Sequence, residues 1–108
     1  MSKYLIRASF RPEGIRQVLM KAKATGLRAA VTKVAEAAGG KLEAYYFAFG
    51  QDDVIGIVDL PDNTAIASVS VAVNSVGFVS VHVTPLLTPE EMDKAIEKSD
   101  GLPVPGRT

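Results

Sequence analysis

Alternation of apolar and polar positions predicts four β-strands in this chain. In residues 3–10, an apolar set that begins at Tyr4 alternates with a second set that contains Arg7 and Ser9. Three further stretches have the length and the β-branched or aromatic content of strands, at residues 42–49, 54–60 and 78–86. Few residues separate the second and third strands, which predicts an antiparallel hairpin.

Apolar residues at helical spacing predict helices between the strands. Two such groups, in residues 15–22 and 27–38, are out of phase, so we predict two helical pieces with a kink or short loop at Thr25-Gly26. Residues 64–75 are ambiguous, and we predict a helix there because a further strand would leave no connection before the fourth strand. Thr88 opens a capping box that predicts a last helix.

The predicted order βαββαβ plus a C-terminal helix is the ferredoxin-like pattern, an α+β fold with a four-stranded antiparallel sheet. We expect a single domain over residues 1–98, strand order 4-1-3-2, and an extended tail over residues 99–108. The helices cover one face of such a sheet. We place the fourth-strand valines under the helices and assign the polar residues of the first and fourth strands, with Leu5 and Phe78, to the uncovered face. Two sheets packed face to face would form a dimeric α+β barrel.

Most of the chain resembles the GYD-domain family. The resemblance rests on Gly39-Gly40-Lys41 before a strand with Tyr45-Tyr46, on Gly50 and Asp53 at the following turn, and on Pro61-Asp62 before an Ala-rich helix. Members usually read Gly-x-Tyr-Asp at the turn, where this chain has Asp52 in place of the tyrosine. The resemblance implies a dimeric α+β barrel whose interior holds a ligand, without implying one particular activity.

Composition narrows the classes of function. Twelve basic residues balance twelve acidic ones, which argues against a nucleic-acid-binding module and permits self-association. The chain has no Cys and a single His, so we expect no thiolate site, no multi-histidine metal site and no cofactor. With neither a signal-peptide pattern nor an apolar stretch of membrane-spanning length, we expect a cytoplasmic protein without a membrane partner.

The candidate catalytic residue is His82, because histidine is the residue type best suited to act as a general base near neutral pH. The alternative is a histidine that is hydrogen-bonded at a dimer interface. Arg7 interrupts an otherwise apolar strand, so it either anchors an anionic ligand or forms an ion pair across the interface. Because the first and fourth strands adjoin, we expect Arg7 and His82 to lie close together.

Three further residues are candidates for ligand binding. Ser9 shares the uncovered face with Arg7, and Tyr46 is assigned to the same face by alternation, in a group with Leu42 and Ala44. Asp53 matches the family's turn position, although turn aspartates often bond only to their own backbone.

Three functions remain open at this point. The first is a homodimer that binds a small molecule or a partner in the cavity between the sheets. The second is a cofactor-independent monooxygenase- or isomerase-like enzyme that uses His82, Arg7 and Tyr46. The third is a structural or regulatory oligomerisation module. No catalytic motif in the sequence decides whether the protein is an enzyme.

Overall fold

The computed structural model describes residues 1–106 and is built on a four-stranded antiparallel sheet. Its strands are β1 (Ser2–Phe10), β2 (Lys41–Phe47), β3 (Val54–Leu60) and β4 (Val79–Leu86). They lie side by side in the order β2-β3-β1-β4, which is the predicted order read from the opposite edge. The α+β class is therefore confirmed. β4 tolerates Pro85 because it is an edge strand, where a missing backbone donor leaves no neighbour unpaired.

Helices occupy the predicted connections. The helices are α1 (Pro12–Gly14), which continues as a π-helix (Ile15–Leu19) into α2 (Met20–Ala37), then α3 (Asn63–Val76) and α4 (Pro89–Ser99). The ambiguous stretch is thus a helix, as predicted. The break in α2 falls at Lys23, with φ 64° and ψ 169°, two residues before the predicted position. It separates the two groups of apolar residues that were out of phase.

Side chains cap the starts of α3 and α4. The Asp62 carboxylate accepts a hydrogen bond of 2.9 Å from the Ala65 N–H. At the start of α4, the Thr88 hydroxyl accepts from the Glu91 N–H at 3.1 Å, and the Glu91 carboxylate accepts from the Thr88 N–H at 2.9 Å. These bonds satisfy N–H groups that have no partner within the helix. The bond from the Thr88 N–H also holds the pKa of Glu91 below its ordinary value.

The packed core lies at one end of the sheet, where the helices contact it closely. Tyr4, Ala35, Val58, Leu60 and Ile66 form one buried cluster. The Tyr4 hydroxyl donates a 2.7 Å hydrogen bond to the Asn63 side chain, so this buried phenol keeps a polar partner. At the opposite end of the same face Val54 and Ala8 are still buried, whereas Phe10, Val79 and Val81 are only partly buried.

The C-terminal helix α4 extends away from the sheet. Every residue from position 89 to position 98 is exposed, including Met92 and Ile96 at 49% and 54%. The radius of gyration is 17.0 Å, against about 13 Å for a compact domain of this length. Of the predicted tail, Ser99 ends the helix, and residues 107 and 108 lie outside the described residues. None of the helices within residues 1–106 has the length and apolarity needed to cross a membrane.

Candidate functional site

The uncovered face of the sheet brings three of the candidate residues into one row. Arg7 pairs with His82 on one side and with Ile55 on the other, and Ile55 pairs with Tyr46. Directly paired residues of antiparallel strands point to the same face. The row Tyr46–Ile55–Arg7–His82 therefore crosses all four strands and spans about 14 Å at the usual strand spacing. We call this side of the sheet the open face.

A second, largely apolar row lies beside the first. It consists of Ala44, Ile57, Leu5 and Thr84 in consecutive register across the four strands. Leu5, Ile55 and Ile57 are only partly buried, and Tyr46 is 70% exposed. No element within residues 1–106 covers this surface. The open face thus combines an apolar centre with a cation, an imidazole and a phenol.

Arg7 forms an ion pair with the turn between β2 and β3. Neither role predicted for Arg7, as an anchor for an anionic ligand or as part of an ion pair across the interface, included this partner. One of its terminal nitrogens lies 3.5 Å from the Asp52 carboxylate. The Arg7 side chain keeps 42% of its surface exposed, whereas Asp52 keeps 18%. At this length the pair is a weak surface ion pair, and the guanidinium retains further N–H donors that are directed by its planar geometry. Those donors suit a planar anion such as a carboxylate.

The turn between β2 and β3 is fastened to the end of β1 by the other two candidates. Ser9 donates its hydroxyl to the Gln51 carbonyl at 2.9 Å. Asp53 accepts from the Phe10 N–H at 2.8 Å through its carboxylate and donates its own N–H to the Ala8 carbonyl at 2.8 Å. Ser9 and Asp53 therefore act on the site by holding the turn, and with it Asp52, beside Arg7.

His82 lies on the edge strand β4 and is exposed. Its backbone position fixes it opposite Arg7. Among the described residues, no side chain makes a hydrogen bond to its imidazole, so a single chain supplies no group that would orient the ring as a general base. The geometry makes His82 a neighbour of any anion held by Arg7.

Two assignments to the open face are wrong. Leu42 packs against the core, because a β-bulge between Leu42 and Ala44 reverses the alternation at that point. Ala44 and Tyr46, beyond the bulge, keep the predicted face. Phe78 precedes β4 and lines the space under the helices, because it no longer follows the pleat of the strand. The fourth-strand valines lie under the helices, as predicted.

Tyr45 lies on the helix-covered face, with its ring edge-on to Phe47 at a centroid distance of 5.5 Å. Burial raises the pKa of Tyr45 to about 12 from an ordinary 10.0. As the pH rises, the unfolded chain therefore loses the Tyr45 proton before the folded protein does. The contribution of protonated Tyr45 to the free energy of unfolding is complete below about pH 10 and is lost between about pH 10 and 12.

We expect Tyr45→Phe to remove part of the alkaline loss of stability. Urea unfolding from pH 9 to pH 12 measures it: the wild type should lose more stability across this range than the variant does. Absorbance titration of tyrosinate should show a group that ionises near pH 12 in the wild type and is missing from the variant. Equal alkaline slopes in the two proteins would show that Tyr45 ionises without hindrance.

A charged cluster borders the open face at the end far from the turn. The Lys3 ammonium lies 2.5 Å from the Glu43 carboxylate and 3.7 Å from that of Asp59. The hydrogen bond to Glu43 raises the pKa of Lys3. The second Asp59 oxygen is buried without a hydrogen-bond partner among the described residues. Within the described range, no three His, Cys, Asp or Glu side chains gather as metal ligands.

Comparison with known proteins adds one match. The model of the GYD domain family matches residues 4–96, a range that contains the whole sheet except Ser2 and Lys3 and includes most of α4. No curated protein and no solved structure shows significant similarity to the chain.

Proposed function

The chain belongs to the GYD-domain family, and we propose that it is a homodimer that binds a small carboxylate between two sheets packed face to face. The open face carries this proposal, because it places Arg7 and His82 beside an uncovered apolar surface in a single row. An uncovered apolar surface with polar groups beside it is typical of an interaction site. A face that mixes apolar and polar groups also suits a small cavity once a second sheet covers it.

Two-fold symmetry determines what such a cavity contains. In a dimer with two-fold symmetry the same surface of both copies takes part. The cavity between the two sheets would therefore receive the row Tyr46–Ile55–Arg7–His82 from both chains. Burial between sheets would lower the local dielectric and strengthen the attraction between the guanidinium and an anion. Asp52 competes with such an anion only weakly, because its pair with Arg7 is 3.5 Å long.

The C-terminal helix is a second support for the dimer. α4 extends from the sheet with Met92 and Ile96 exposed, which a monomer leaves in water. A second copy would give these two side chains an apolar contact beside the paired sheets.

Benzoate titration followed by NMR tests the ligand class. Since His82 is the only histidine, its ring protons give one assignable pair of signals. We expect benzoate to shift them saturably, and Arg7→Gln to weaken binding at least tenfold, since a hydrogen bond to a charged group contributes about 1.5–3 kcal/mol.

Arg11→Gln is the matched control for this titration. Arg11 is exposed and lies just beyond the end of β1, so its loss should leave the dissociation constant within about twofold of the wild-type value, given the small contribution of exposed charges. If benzoate leaves the His82 signals unmoved, or if both variants bind as the wild type does, Arg7 is no anion site.

A further inference from the structure

A cavity of about 430 Å³ lies on the other face of the sheet, between α2 and α3. Its floor is the end of the sheet beyond the packed core, and its walls are the facing sides of the two helices. The lining includes residues of β1, β3 and β4 and of both helices, among them Ala8, Val54, Val81, Ala30, Val34 and Ala72. Val34 and Val76, which line it as well, are 40% and 62% exposed, so the cavity opens to solvent between the helices.

Short side chains, and helices that pack on opposite edges of the sheet, leave this cavity open. α2 packs mainly on β2 and α3 mainly on β4, which are the two edges of the sheet. The side chains that face the gap above the central strands are mostly alanine and valine, too short to meet across it. The break at Lys23 lies in the half of the helix that covers this end of the sheet.

The lining determines what can fill the space. Protein interiors rarely keep voids much larger than a water molecule, and unfilled ones are destabilising. An ordered water needs two to four polar partners. Among residues 1–106 the lining offers only two polar side chains, the Tyr45 phenol and the Ser70 hydroxyl, and the latter already accepts a bond from Asn74 at 3.2 Å. No charged side chain of this part of the chain lines the cavity, so an ion would be left unpaired.

We propose that this cavity binds a small neutral aromatic molecule. An engineered apolar cavity of about 150 Å³ holds one benzene, so by proportion the present volume suits roughly two to three fused rings. Its apolar lining and its size are within the ordinary range of ligand pockets, about 300–1,000 Å³. The site lies on the face opposite Arg7 and His82, so it is independent of the proposed carboxylate site.

Naphthalene is the probe that tests this proposal, with 2-naphthoate as its charged counterpart. We expect saturable binding of naphthalene by fluorescence titration, and at least tenfold weaker binding of 2-naphthoate to the same site. Arg7→Gln should leave naphthalene affinity unchanged. Absence of saturable naphthalene binding, or equal affinity for the two probes with loss of both in Arg7→Gln, would overturn the proposal.

Filling the cavity from either helix provides the second test. Ala30→Phe on α2 and Ala72→Phe on α3 each place a ring in the space, so each should weaken naphthalene binding at least tenfold. The matched controls, Ala29→Phe and Val71→Phe, alter exposed neighbours that do not line the cavity, and binding should stay within twofold of wild type. The two wall positions act from different helices, so a folding defect in one variant leaves the other decisive. Wild-type affinity in a folded wall variant would refute the assignment.

Discussion

Replacing Ile55 by lysine is expected to convert the protein from a dimer into a monomer. Ile55 lies between Tyr46 and Arg7 in the row that crosses the open face, and in a two-fold dimer the new charge enters the interface from both copies. Each lysine would be desolvated next to another cation. An unpaired charge at a buried site costs about 3–5 kcal/mol, enough to raise the dissociation constant of the dimer at least 100-fold.

Sedimentation velocity over a range of protein concentrations measures this change. Val71→Lys is the matched control: Val71 is 70% exposed on α3, away from the open face, so the same substitution there should leave the dimer intact. Both variants should keep the wild-type circular dichroism spectrum, because Ile55 is only partly buried within one chain. A dimer that persists in Ile55→Lys at low micromolar concentration would place the interface elsewhere.

Replacing Gly40 by alanine is expected to destabilise the fold by about 3 kcal/mol, near the upper end of the usual cost of overpacking. A Cβ at this position would lie 1.8 Å from the Asp59 carbonyl oxygen and 2.9 Å from a Leu60 methyl group. The oxygen belongs to the backbone of the neighbouring strand, so relief requires β2 and β3 to separate. Gly40 also donates its N–H to the Ala35 carbonyl at 3.0 Å, and this bond ties the end of α2 to the sheet.

Urea unfolding of Gly40→Ala and Gly26→Ala separates this close approach from the general effect of removing a glycine. In Gly26→Ala the new Cβ meets only the Ala22 Cβ at 3.5 Å, an ordinary contact within α2. That variant should gain up to about 1 kcal/mol from helix propensity. Equal stability changes at the two positions would contradict the close packing of Gly40 on β3.

The alternation of residues along the strands was sufficient to predict the sheet. Strand order, the pairing of Arg7 with His82 and the placement of the fourth-strand valines all follow from a period of two and from the order of the elements. The pattern misled where the backbone departs from that period. The bulge after Leu42 inserts one residue, and no turn residue marks its position. Phe78 was misplaced because the strand begins one residue later.

The alternation of residues along the strands could not predict the ion pair between Arg7 and Asp52, because this pair depends on how the turn folds back onto β1. Asp52 occupies the position where the family usually has tyrosine, and its carboxylate lies beside Arg7. The bonds from Ser9 and Asp53 that hold the turn are interactions between side chains and backbone, which periodicity does not encode. The number of polar residues in the turn was the one feature of the sequence that indicated such interactions.

The cavity beneath the helices also went unpredicted, although its cause is visible in the sequence. Alanine and valine fill most of the apolar positions in residues 27–38 and 64–76. Hydrophobic periodicity records that these positions face the sheet, without recording whether their side chains are long enough to reach it. Side-chain volume, compared between facing elements, was the signal that would have indicated a void.

Light scattering coupled to size exclusion chromatography tests the dimer formed through the open face. We expect a particle of twice the 11.4 kDa chain mass that persists to low micromolar concentration, and a mass of one chain for Ile55→Lys under the same conditions. A wild-type protein that elutes as a single chain at every concentration would contradict the dimer and remove the shared cavity on which the carboxylate site depends.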